Sequence, residues 1–83
     1  MYTVQVSKRA SQEIAKLGRD LQVRVVARIE LLAQDPRPSG CKKLAGSEYW
    51  RIRIGEYRVV YSIEDQQLMV LVIRVAHRRD VYR

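Results

Sequence analysis

The segment Tyr49-Trp50-Arg51-Ile52-Arg53-Ile54-Gly55-Glu56-Tyr57-Arg58-Val59-Val60-Tyr61-Ser62-Ile63 decides the fold. Its apolar residues recur with a period of two, which is the spacing of a half-buried strand. Trp50, Ile52 and Ile54 alternate with Tyr49, Arg51 and Arg53. After Gly55-Glu56, the residues Tyr57, Val59, Tyr61 and Ile63 alternate with Arg58, Val60 and Ser62. Glycine at the first central position suits a two-residue hairpin turn, because that position needs a positive φ. A turn closed there pairs Ile54 with Tyr57, Arg53 with Arg58, Ile52 with Val59 and Arg51 with Val60. One face of the hairpin then carries Trp50, Ile52, Ile54, Tyr57, Val59 and Tyr61. Arg51, Arg53 and Arg58 share the other.

Outward from the hairpin, Glu64–Gln67 reads as a second turn, and Leu68–Ala76 as a strand apolar enough to be covered on both faces. Toward the N-terminus, Asp35-Pro36-Arg37-Pro38-Ser39-Gly40 breaks whatever precedes it. Before that break, Leu21, Val25, Ile29 and Leu32 mark one stripe of a helix from Asp20 to about Gln34. Val23, Val26 and Leu31 make this helix so apolar that it reads as buried. An earlier helix starts after Ser7, whose hydroxyl suits an N-cap, and repeats Ala10, Ile14 and Leu17. Gly18 reads as its left-handed C-terminal stop. Tyr2–Val6 is a short β-prone strand. The order β-α-α-β-β-β predicts an α+β domain with two helices on one face of a small, mostly antiparallel sheet.

The chain has 83 residues, room for a single domain over residues 1–83 and for a modest core. Lys and Arg outnumber Asp and Glu by 16 to 9, a formal net charge of +7 that points to a polyanionic partner, nucleic acid first. One cysteine, Cys41, and one histidine, His77, exclude an internal disulfide and a multi-Cys or His-rich metal centre. No metal or other cofactor is expected. The start, MYTVQV, lacks the basic and apolar regions of a signal peptide, and the longest apolar run, Leu68–Ile73, is too short to span a membrane. A soluble, cytoplasmic protein without membrane contact is expected.

The arginines are the functional clue. Like charges directly opposite each other weaken a sheet by ~0.2–1 kcal/mol, and no acidic residue of these strands shares their face. Folding alone gives no reason to gather them, although a solvated basic face is the alternative. Guanidinium groups bind phosphate through paired hydrogen bonds and stay charged at any working pH. The tail adds His77, Arg78, Arg79 and Tyr82. Histidine is the side chain whose ordinary pKa lies nearest neutrality, and tyrosine can stack on a base. Lys42 and Lys43 precede the hairpin and could hold a phosphate backbone.

Lys43-Leu44-Ala45-Gly46, Trp50-Arg51-Ile52-Arg53-Ile54, Tyr57-Arg58-Val59-Val60-Tyr61 and His77-Arg78-Arg79-Asp80-Val81-Tyr82, in this order, resemble the RelE/ParE toxin superfamily. The resemblance covers essentially the whole chain. It implies the toxin of a type II toxin–antitoxin pair and, for RelE-type members, cleavage of mRNA in the ribosomal A site. It places Arg51, Arg53, Arg58, Arg78 and Tyr82 in the catalytic set; Lys42, Lys43 and Arg79, read from their charge and position, are expected to bind RNA. The implied partners are a cognate antitoxin, mRNA and the ribosome. ParE-like members share the fold, inhibit DNA gyrase and generally lack the full basic set, and this is the alternative. The best-known RelE members have lysines where this chain has Arg51 and Arg53. Arginine cannot give up its proton, so His77 is the substitute candidate for proton transfer. A third reading takes the two helices as a helix-turn-helix, which the apolar second helix disfavours.

Overall fold

The computed structural model describes residues 1–80. Its elements are β1 (Thr3–Val6), α1 (Lys8–Ala15), α2 (Arg19–Leu31), β2 (Lys42–Lys43), β3 (Tyr49–Ile54), β4 (Tyr57–Glu64) and β5 (Met69–His77). The strands form one sheet in the order β1-β5-β4-β3-β2. All neighbours are antiparallel except β1 and β5, which run parallel. The α+β order expected from the sequence holds, with β2 as an additional two-residue edge strand.

The hairpin has the register the turn dictates: Ile54 faces Tyr57, Arg53 faces Arg58, Ile52 faces Val59 and Arg51 faces Val60. Gly55 takes φ +60 and supplies the positive angle of the turn. Ile52, Ile54, Val59 and Tyr61 enter the core with Val70, Val72 and Val75 of β5, while Trp50 and Tyr57 pack at its margin. Between β4 and β5 the register shifts. Val60 faces Arg74 but Tyr61 faces Val72, so Ile73 is an extra residue in β5. Such a bulge reverses the alternation of the strand, and Val72 and Val75 both enter the core although they are three positions apart.

Ser7 caps α1 by accepting the Ala10 N–H at 3.1 Å, and its hydroxyl donates to the Ile73 carbonyl at 3.2 Å. Ala10 is fully buried, which lets α1 lie close on β5. Gly18 does not end α1 in the left-handed region. It is extended, with φ −63 and ψ 156, and forms the N-cap of α2. The last carbonyls of α1 are served instead by Gln22, whose side-chain amide donates to Ile14 and Ala15 at 2.9 and 3.3 Å. In α2, Val25, Ile29 and the C-cap Leu32 are buried, as their spacing requires. Val23, Val26 and Leu31 are not: they are 60%, 42% and 56% exposed, which corrects the reading of α2 as a buried helix. They lie on the flank that the sheet, present on one side only, leaves uncovered.

Glu13 of α1 completes the edge of β5. Strand β1 pairs with β5 only as far as Val6 and Val72. Past that point the Glu13 carboxylate accepts the Val75 N–H at 2.7 Å and bonds Arg74 Nη2 at 3.0 Å. A second set of ties holds the other end of the sheet. Asp65, in the β4–β5 turn, accepts the Tyr2 hydroxyl at 2.6 Å and both terminal nitrogens of Arg37. The Arg37 guanidinium lies 5.0 Å over the Trp50 ring. The buried Tyr61 hydroxyl donates to the Pro36 carbonyl at 2.8 Å, and burial raises its pKa above the usual phenol range. These contacts bind the loop after α2 to the sheet.

Candidate nucleic-acid interface

The face that carries the hairpin arginines is less open than the sequence suggests. Arg51 and Arg58 are only 8% and 6% exposed, and Arg53 alone of the three is an exposed side chain. Val60 and Ala76 on the same face are also buried. The physical reason for Arg51 is visible. Its Nη1 donates to the Gly40 carbonyl at 3.2 Å, so this guanidinium reaches back to the loop before β2. Arg58 is flanked by Arg53 on β3 and Ala76 on β5. Taking a cation out of water is costly, and this small sheet buries two such residues on one face.

At the turn end of the hairpin, Arg53, Arg58 and Arg78 line one cavity of about 70 Å³ together with Gly55, Glu56 and Tyr57. Arg78 arrives there because its backbone N–H donates to the Glu56 carbonyl at 2.8 Å, which ties the first residues after β5 to the turn. Arg53 also lines a second cleft, with Arg51, Lys42, Lys43, Leu44 and Ala45. Lys42 pairs in register with Arg51, which brings the loop lysine beside the arginine face. Strand β2 thus extends the basic surface away from the cavity. Lys42, Lys43 and Arg79 are all exposed. Tyr82 lies outside the described residues.

His77 is placed differently. It pairs with Tyr57, whereas Arg58 pairs with Ala76, so the imidazole belongs to the opposite face of the sheet from Arg58. Its ring meets Tyr57 edge-on, with centroids 5.4 Å apart, and its Nδ1 accepts the Arg79 N–H at 3.3 Å. It lines a cleft with Glu13, Lys16 and Arg74 on the α1 side, not the arginine cavity. Its link to that cavity is Glu56, whose Oε2 lies 3.4 Å from His77 Nε2 and 3.4 Å from Arg78 Nε. Sequence reasoning passed over Glu56 as a turn residue. Its position beside the hairpin arginines and opposite the start of the tail is the signal that singles it out. Among the described residues no group of three or more His, Cys, Asp and Glu side chains is arranged to hold a metal ion, and no helix is long and apolar enough to cross a membrane.

Residues 4–82 match the family model described as ParE toxin of type II toxin-antitoxin system, parDE. The chain belongs to this toxin family. The toxin RelG of Mycobacterium tuberculosis is 34% identical over 99% of this chain and 97% of its own length. Among solved structures, the RelBE2 toxin–antitoxin complex of M. tuberculosis contains a chain that superposes with a TM-score of 0.82 at 30% identity, covering 93% of this chain and 98% of that one. The intact RelBE toxin–antitoxin complex of E. coli gives 0.80 at 28% identity, over 93% and 96%. This member of the ParE toxin family is therefore a type II toxin on the RelE fold.

Proposed function

We propose that this toxin is a ribosome-dependent endoribonuclease that cleaves mRNA in the A site and so inhibits translation. The observation that carries this reading is the convergence of Arg53, Arg58 and Arg78 on one cavity. In the reaction, the ribose 2′-oxygen attacks the adjacent phosphate. The O2′–P bond forms, the P–O5′ bond breaks, and the products are a 2′,3′-cyclic phosphate and a 5′-hydroxyl. The 2′-hydroxyl proton leaves to solvent water and the 5′-oxygen takes one from it, since none of the three arginines can act as a base. Negative charge grows on the phosphate oxygens, and preorganised donors at such charge contribute ~3–4 kcal/mol each. Arg53, Arg58 and Arg78 supply those donors, and Tyr82 stacks on the nucleotide. Lys42, Lys43 and Arg79 hold the flanking backbone, and Arg51 supports Arg53 from the same strand. His77, on the far face, acts through Glu56. A site without a strong base depends on a substrate that is already splayed and positioned, which is what a codon in the ribosome offers. A cognate antitoxin is the protein partner, and the toxin acts in the cytoplasm.

The alternative is the gyrase-directed activity of ParE-like toxins, favoured by the name of the matching family model. Two readouts, mRNA cleavage and gyrase-linked DNA breaks, separate the two. A reporter mRNA is translated in a cell-free reaction with purified toxin, and its 5′ ends are mapped by primer extension. Cuts within codons on translated RNA, lost in Arg53→Ala, Arg58→Ala and Arg78→Ala, are expected. Undiminished cutting in all three variants removes the arginine mechanism. No cutting by the folded wild-type protein, together with gyrase-linked DNA breaks, establishes the alternative.

A further inference from the structure

We infer that Glu56 is a positioning residue that fixes the guanidinium of Arg78 for the substrate phosphate. The inference rests on the phosphate-binding reading of the arginine cavity. Glu56 is the one carboxylate among the residues lining that cavity. It holds the start of the tail at two levels. Its backbone carbonyl accepts the Arg78 N–H at 2.8 Å, and its Oε2 meets the Arg78 Nε at 3.4 Å. A guanidinium presents two edges to an anion, one through Nε and one through its two terminal nitrogens. With Nε the guanidinium nitrogen beside Glu56, the terminal pair is the edge left for a phosphate. The same oxygen lies 3.4 Å from His77 Nε2, and the Arg79 N–H occupies the opposite ring nitrogen. Glu56 thus gathers residues 77–79 around the turn.

The position also explains how an acidic residue can belong in a basic site. Arg78 follows β5 and its side chain is 64% exposed, so it is not held by packing as Arg58 is. A long exposed side chain loses rotamer freedom when it binds. The Glu56 carboxylate, itself 62% exposed, stands at Nε and lets part of this loss be met on folding and not on binding.

The test is a series, Glu56→Gln, Glu56→Asp and Glu56→Ala, in the full-length toxin. Single-turnover cleavage is measured on ribosomes stalled with an empty A site, over a range of toxin concentrations. Removing the charge raises the net positive charge of the surface, so RNA-loaded ribosomes should be half-saturated at equal or lower concentrations of the Gln variant. The maximal rate should nevertheless fall by ~10- to 100-fold, the scale of losses when a reacting geometry is loosened, and Asp should recover part of it. A merely structural role weakens saturation and rate together. A faster Gln variant means that Glu56 competes with the phosphate and overturns the inference. A loss above ~10³-fold with Arg78 unmoved makes Glu56 the proton acceptor and overturns it too. The position of Arg78 is followed by its Nε–H resonance in 15N NMR, on protein without RNA. If the wild type does not cleave, the nuclease reading fails by itself. The NMR arm then decides: an Nε–H that is sharp in wild type and lost in the Gln variant upholds the positioning, and an unchanged one ends it.

Discussion

Replacing Glu13 by alanine should be among the most damaging single changes to this fold outside its apolar core. The Glu13 carboxylate receives the Val75 N–H at 2.7 Å, Arg74 Nη2 at 3.0 Å and Arg74 Nε at 3.3 Å. Val75 is 2% exposed, so truncation leaves its N–H beneath α1 without this acceptor. A buried donor stranded in this way costs ~1–3 kcal/mol. The ion pair is partly wet, with side chains 23% and 21% exposed, and contributes less, ~0.5–1 kcal/mol. We expect Glu13→Ala to lose about 2–3 kcal/mol. On a domain of this size that is a fall in Tm on the order of 10–20 °C. Glu13→Gln keeps an oxygen for Val75 and loses only the charge, so its loss should stay near ~1 kcal/mol. Urea unfolding followed by circular dichroism measures both, and hydrogen exchange at the Val75 amide locates the effect. The account is refuted if alanine and glutamine are equally destabilising, or if the Val75 amide exchanges at the wild-type rate in the alanine variant.

Two further outcomes follow from the same structure. Arg51→Ala and Arg53→Ala should separate stability from activity. Arg51 is buried and bonded to the Gly40 carbonyl, so its loss should lower unfolding free energy by ~1–3 kcal/mol, whereas exposed Arg53 should change it by less than ~0.5 kcal/mol while cleavage falls. Arg37, and after it the Tyr2 hydroxyl, hold the Asp65 carboxyl below its ordinary value of 3.8. A depressed folded-state pKa means stabilisation that is complete above the unfolded value and lost as pH falls through the folded one. The stability gap between wild type and Asp65→Asn should therefore be constant from about pH 5 to pH 8 and shrink below about pH 4 in acid titrations.

What could be read from the sequence was whatever depended on neighbours in the chain. Gly55-Glu56 sets the hairpin register because a two-residue turn leaves no slack, and every pairing from Arg51–Val60 to Ile54–Tyr57 follows. The stripe Val25, Ile29 and Leu32 is legible for the same reason. The rest depends on partners far away in sequence. Strand β2 is two lysines that β3 recruits, with no β signal of their own. The grip of Glu13 on β5 spans 61 and 62 residues. The apolar run of β5 hides the extra residue at Ile73, and that bulge sets which face His77 takes. Val23, Val26 and Leu31 could not be sorted from Val25 and Ile29 by composition, because only the one-sided sheet decides which flank of α2 is covered. Of the candidate cavity, Arg53, Arg58 and Arg78 could be named from the sequence, and the structure brings these three together. The burial of Arg51 and Arg58 and the link through Glu56 were not legible.

The parallel pairing of β1 with β5 joins the first strand of the chain to the last. Contacts between such distant segments close late and slowly in folding. During synthesis β1, α1 and α2 leave the ribosome before their partner strand does, since Val72 and Val75 of β5 follow all three in the chain. Arg78 comes later still, so the arginine cavity assembles only after β5 has formed. A nascent chain that has not yet exposed β5 therefore carries no assembled arginine cavity. The interval between release and closure of the sheet is time in which another protein can reach an incomplete site.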